Sequence, residues 1–201
     1  MKAYKYANEN VPSGKYDWIQ VISGNCDGII SAKYSIELKN CSDITVQCDS
    51  YIKIKDCNRI TILYGKNVSV ISSSNVIIKD VDTLYLSLIN LIELPNFVKN
   101  MSIDYCDIRH YPDSDECKIN DSGIYTMPTI NNKLELSNCD IKNQIVLPES
   151  ILNLRLIGQN TNNLIFTKLH SLVKLHIIRS KFEVANFKHM PRLELDNVKI
   201  E

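Results

Sequence analysis

The sequence predicts an all-β chain, wound into a single right-handed β-solenoid of about eleven coils. Three observations carry this. Pairs of aliphatic residues separated by one position recur at a near-constant interval. A small residue, often cysteine, follows each pair by three positions. Asparagine, aspartate, serine and glycine cluster between the pairs, where a turning chain needs them.

Taken in order, residues 1–20 contain the only tryptophan, Trp18, lack the repeat and read as an N-terminal cap. Residues 21–201 read as one continuous repeat domain. Its degenerate first copy is Val21-x-Ser23-x-x-Cys26. The pattern then sharpens at Ile36-x-Leu38-x-x-Cys41, Ile52-x-Ile54-x-x-Cys57, Val68-x-Val70-x-x-Ser73 and Leu84-x-Leu86-x-x-Ile89, at steps of 16. It continues at Met101-x-Ile103-x-x-Cys106, Cys117-x-Ile119-x-x-Ser122 and Leu134-x-Leu136-x-x-Cys139. The last copies begin at Leu154, Leu175 and Leu193, with steps of 20, 21 and 18. A second aliphatic pair lies 8 residues after the first, at Ile44/Val46, Ile60/Ile62, Val76/Ile78 and Ile92/Leu94, and more loosely at Ile145/Leu147 and Leu164/Phe166.

Short β-branched alternation is the signature of a strand with one buried face. Two strands per 16 residues would also suit a meander of hairpins. A solenoid explains the longer period, because only stacked coils give residue i+16, rather than i+8, a reason to match. Cys26, Cys41, Cys57, Ser73, Cys106, Ser122, Cys139 and Ser180 then form one internal corner column, where a thiol packs as a small hydrophobe. One coil buries about four aliphatic side chains, worth ~1.5–3 kcal/mol each. Ordering its backbone costs ~1–2 kcal/mol per residue. No coil is stable alone, and stability is a nearest-neighbour sum.

The later copies resemble leucine-rich repeats. Val98-x-x-Met101-x-Ile103-x-x-Cys106-x-Ile108, Leu172-x-x-Leu175-x-Ile177-x-x-Ser180-x-Phe182 and Met190-x-x-Leu193-x-Leu195-x-x-Val198-x-Ile200 follow that spacing,. The run from Leu147-Pro148 to Leu154-Arg155-Leu156 is similar to short bacterial and amoebal members. This resemblance covers residues 95–201 and implies protein binding. Coils of 16 are shorter than that family's, and thiols and hydroxyls replace most of its asparagines. The N-terminal half is similar to the two-strand β-helix of cyclase-associated proteins. The expected whole is a solenoid of 16-residue coils that lengthen after about residue 140.

With 23 basic and 23 acidic side chains, the chain has no cationic excess for nucleic acid or an anionic membrane,. The N-terminus has no apolar run after its charges, and no stretch reaches the ~20 apolar residues of a membrane span. Seven cysteines without a secretory leader read as reduced thiols,. The expected location is intracellular, in the cytoplasm or incorporated into a virion. Abundant Ile, Asn, Lys and Tyr point to an AT-rich genome, such as that of a large DNA virus, a protist or an AT-rich bacterium.

No catalytic, cofactor or metal motif stands out. Cys106-x3-His110-x6-Cys117 is not a zinc spacing,. His110, His170, His176 and His189 sit in no nucleophile motif. The richest acidic stretch, Asp113-Ser114-Asp115-Glu116, follows Tyr111-Pro112 and reads as a loop. The residue between each aliphatic pair points outward. Up the stack these are Glu37, Lys53, Ser69, Tyr85, Ser102, Lys118, Glu135, Arg155, His176 and Glu194. The bland reading is a solvated sheet, with Glu135 and Arg155 a surface pair of little worth. The functional reading is a partner face centred on Tyr85, Lys118, Arg155 and His176, which are types favoured at interfaces. The C-terminus stops inside a repeat, which suggests a second copy stacking end-on there. The function expected is a non-enzymatic scaffold for protein interaction or assembly, without cofactors. The alternative is a carbohydrate-active β-helix that cleaves polysaccharide.

Overall fold

The aliphatic pairs stack as parallel rungs. Ile19 is registered on Ile36, Ile36 on Ile52, Ile52 on Val68 and Val68 on Leu84. All five side chains are at most 2 % exposed. A computed structural model describes residues 3–8, 10–166, 169–182, 193–196 and 199–200. It shows an all-β chain forming about ten turns of parallel β-solenoid, in two compact units, Met1–Val98 and Lys99–Glu201.

In the first unit, β1 (Ala3–Ala7), β2 (Gly14–Ile22), β3 (Ile29–Lys39), β4 (Ser42–Lys55) and β5 (Asn58–Ile71) pair successively. β6 (Ser74–Ile78) and β7 (Val81–Ser87) both pair with β5, and β8 (Asn90–Glu93) pairs with β6. β4 and β5 each run along both sides of the coil. Their ladder shifts register between Cys48 and Tyr51, where the chain bends. Alternation sets the burial: in β4, Ile44, Val46, Cys48, Ile52 and Ile54 are buried while the residues between them are not,.

One expectation is corrected at the start of this unit. Residues 3–7 form a rung, with Tyr4 on Ile19 and Tyr6 on Val21. The first full copy is Ile19-x-Val21-x-x-Gly24, not Val21-x-Ser23-x-x-Cys26. Its register on Ile36 and Leu38 shows this. So does the Ser42 N–H, which donates to Gly24 O just as the Asn58 N–H donates to Cys41 O. Cys26 is buried but lies two residues beyond the corner.

The second unit begins within β9 (Phe97–Asp104). Next come β10 (Asp107–Ile108), β11 (Asp113–Asn120), β12 (Gly123–Ile124), β13 (Ile130–Ser137), β14 (Asp140–Ile141) and β15 (Ile145–Val146). They are followed by β16 (Asn153–Ile157), β17 (Leu164–Ile165), β18 (Lys174–Ile178), β19 (Lys181–Phe182), β20 (Leu193–Asp196) and β21 (Lys199–Ile200). The broad side is β9-β11-β13-β16-β18-β20; β10-β12-β14, β15-β17 and β19-β21 form short flanking ladders. The coils lengthen as expected: Leu134 is registered on Leu154 and Leu154 on Leu175. The added residues carry β15 and β17 in an additional short ladder. None of the described residues is helical.

Each coil turns at a left-handed residue just before the inward corner. These are Ser23 (φ 55°), Asn40 (52°), Asp56 (54°), Ser72 (48°), Leu88 (54°), Tyr105 (52°), Asp121 (46°), Asn138 (51°), Gly158 (58°) and Arg179 (48°). Asn, Asp and Gly adopt this conformation at least cost; Tyr105 and Arg179 are held in it by the stacked rungs on either side.

Candidate functional site

Cys117 and Ile119 point inward on β11, so Lys118 between them points out; the same alternation turns position 135 on β13, 155 on β16 and 176 on β18 to the outer side of the sheet,. Register places Lys118 on Glu135, Glu135 on Arg155 and Arg155 on His176. Three of the four expected partner residues thus share one column, ~4.8 Å per rung. Glu135 is not a surface residue: its side chain is 7 % exposed, with Lys118 Nζ at 3.1 Å and Arg155 Nη1 at 3.4 Å. A buried carboxylate held by two half-exposed cations is more than a weak surface pair, because losing either cation strands a desolvated charge. Ile157 and Ile178, two positions beyond Arg155 and His176, are registered on each other and half-buried. They give this face an apolar strip beside its charges.

Tyr85 belongs to the first unit. It lies on the column Gln20, Glu37, Lys53, Ser69, Tyr85, in which Gln20 Nε2 donates to Glu37 at 2.9 Å. It is half-buried on the outward side of β7.

The corner column does more than fill space. The Cys41 N–H donates to Cys57 Sγ (3.4 Å), and the Cys57 N–H donates to Ser73 Oγ (3.1 Å). The thiol of Cys57 donates to Lys55 O (3.0 Å), and the Ser73 hydroxyl to Ile71 O (2.8 Å). In the second unit the Cys106 N–H donates to Ser122 Oγ (3.0 Å), whose hydroxyl donates to Asn120 O (2.6 Å). At these corners a small side chain both accepts from the preceding coil and donates to its own, which Cys and Ser supply and Ala or Val do not.

Sequence reasoning missed Gln159 in this slot, although it lies three residues after Leu156 as the repeat requires. It is 1 % exposed, accepts the Cys139 N–H at 3.0 Å and donates to Cys139 O at 2.8 Å; its own N–H goes to Ser180 Oγ at 2.9 Å.

All seven cysteines are free and buried. Burial pushes the Cys117 thiol up to about 12 and that of Cys139 to about 11. Cys57, hydrogen bonded to Cys41 and buried, is held above the ordinary thiol range. Thiols so held stay protonated near neutral pH and are poor nucleophiles. Among the described residues no group of three His, Cys, Asp or Glu side chains is placed to hold a metal ion.

The acidic stretch is not a loop. Asp113, Asp115 and Glu116 lie on β11, and each is bonded to the next rung. Asp113 Oδ1 accepts the Thr129 N–H (2.8 Å), Asp115 Oδ1 the Asn131 amide (3.1 Å) and Glu116 Oε1 the Asn132 amide (3.3 Å). Asp104 accepts from Asn120, and Asp107 from the Tyr125 hydroxyl at 3.1 Å. Asp107 folds over Gly123, where an added Cβ would stand 2.4 Å from its Oδ1.

The end-on contact expected at the C-terminus falls on residues 193–201, and it rests on side chains that the structure does not describe. No protein-family model, curated protein or solved structure matches the chain.

Proposed function

We propose that the chain is a non-enzymatic repeat scaffold that binds a protein partner through the outward face of its second unit. The observation that carries this reading is the column Lys118, Glu135, Arg155, His176. A rigid parallel ladder fixes it, and half-buried Ile157 and Ile178 lie beside it. Arginine beside apolar surface is the composition of an interface hot spot. Glu135 holds both Lys118 and Arg155 in place, which lowers the ordering cost of binding. The polysaccharide-cleaving alternative needs two carboxyls free to act on a sugar. The carboxylates of the acidic stretch are instead engaged in rung-to-rung hydrogen bonds, which favours the scaffold. The leucine-rich-repeat resemblance, the cytoplasmic or virion location and self-assembly by end-on stacking belong to the same proposal.

Affinity enrichment from the native host, run in parallel with wild type and an Arg155→Ala/His176→Ala double variant, tests it. A partner enriched by wild type and lost with the folded variant supports the reading. Equal recovery by both overturns it.

A further inference from the structure

A groove of about 440 Å³ runs along the corner of the first unit where β3, β4 and β5 bend from one side to the other. Beneath it a column of small residues turns inward: Ala32 is registered on Cys48, and Cys48 on Gly65. Tyr16, registered on Ala32, closes one end of that column. The Tyr16 ring is fixed. Its hydroxyl donates to Pro12 O at 2.6 Å, and it stands edge-on to Tyr4 with centroids 5.2 Å apart.

A second column runs alongside in the order Lys15, Ser31, Gln47, Tyr64. Three rung steps make it about 14 Å long. Its middle is polar and pre-arranged, since Gln47 Nε2 donates to Ser31 Oγ at 2.9 Å. That bond leaves the Gln47 carbonyl and the second amide hydrogen to face outward. The groove therefore offers a hydroxyl and an amide along this column, with the Tyr64 ring at its end.

Charge narrows the ligand. Lys15 and Lys33 are matched by Asp49 in the groove and Asp17 on the neighbouring backbone. Lys33 already lies 4.9 Å over the Tyr34 ring. A polyanion finds no net positive field here. A wholly apolar molecule would strand the Ser31 and Gln47 groups. A chain with hydroxyls at its edges and C–H faces above and below suits both the Tyr64 ring and the polar middle.

We propose that this groove binds a neutral oligosaccharide, laid along the Lys15–Tyr64 column with one sugar ring against Tyr64. This is binding without cleavage, and it is independent of the partner face in the second unit.

The test is calorimetric titration of the full chain with cello-, malto-, xylo- and N,N′-acetylchitohexaose, with a heparin hexasaccharide as the anionic probe. At least one neutral hexasaccharide is expected to saturate. Its affinity should fall roughly tenfold or more in Tyr64→Ala, and in Gln47→Ala. Tyr64→Phe, which keeps the ring and the fold, should retain binding. Failure of all four neutral probes overturns the proposal. So does tighter binding of heparin than of any neutral probe, or undiminished binding in folded Tyr64→Ala and Gln47→Ala.

Discussion

Replacing Cys57 by serine and by valine separates a hydrogen-bonded corner from a merely small one. Cys57 is 4 % exposed, accepts the Cys41 N–H at 3.4 Å and donates to Lys55 O at 3.0 Å. Serine keeps both functions, as Ser73 does one coil later. Cys57→Ser should stay within about 1 kcal/mol of wild type. Valine fills the slot but accepts and donates nothing. The Cys41 N–H is then buried without a partner, at ~1–3 kcal/mol, and the Lys55 carbonyl loses a donor. Cys57→Val should therefore lose about 2 kcal/mol, or roughly 4–8 °C in melting temperature for a chain of this size. Thermal melts followed by circular dichroism, with urea titrations as a check on cooperativity, read the difference. If valine matches wild type while serine is the destabilised variant, the corner is a hydrophobic seam and the ladder carries no stability.

Three further outcomes follow from the same geometry. All seven thiols should resist a soluble disulfide reagent in the native state and all seven should react in denaturant, because each is buried and free; prompt native labelling of any of them would contradict its placement. Cys117, raised by burial from 9.0 to about 12, ionises in the unfolded chain before the folded one. Its contribution is whole below pH ~9 and is lost as pH rises toward 12, at ~1.4 kcal/mol per unit. Cys117→Ser should show a shallower alkaline loss than wild type, and parallel curves would refute the assignment. Arg155→Met keeps the aliphatic stem but leaves Glu135 with Lys118 alone, so it should cost about 1–2 kcal/mol, discounted for the half-exposed cations. A double-mutant cycle with Glu135→Gln should recover most of that loss, and simple additivity would show that the pair is not coupled.

The placement of Glu135 shows where sequence reading reached and where it stopped. Strand alternation puts it outward, and outward charges are usually solvated. Its burial depends on Lys118, 17 residues earlier, and Arg155, 20 residues later, lying over it from both sides. Asp113, Asp115 and Glu116 looked like a solvated turn after Tyr111-Pro112; their bonding partners are in the next coil and leave no local pattern. Asn25-Cys26 looks like Asn40-Cys41, yet the strand register gives the corner to Gly24. A motif of two residues cannot outweigh a ladder that Ile19 and Val21 fix from the previous strand.

By itself, the sequence determined the period, the inward aliphatic pairs and the small corner residues. Burial on one face of a strand is written every second residue, and a coil repeats it every 16,. Only the tertiary structure decided which atoms those corners serve, because the hydrogen bonds of a solenoid run between coils. Cys57 could be read as small from its neighbours in the chain. That it must also accept a hydrogen bond from the Cys41 N–H emerges only when the two coils are stacked.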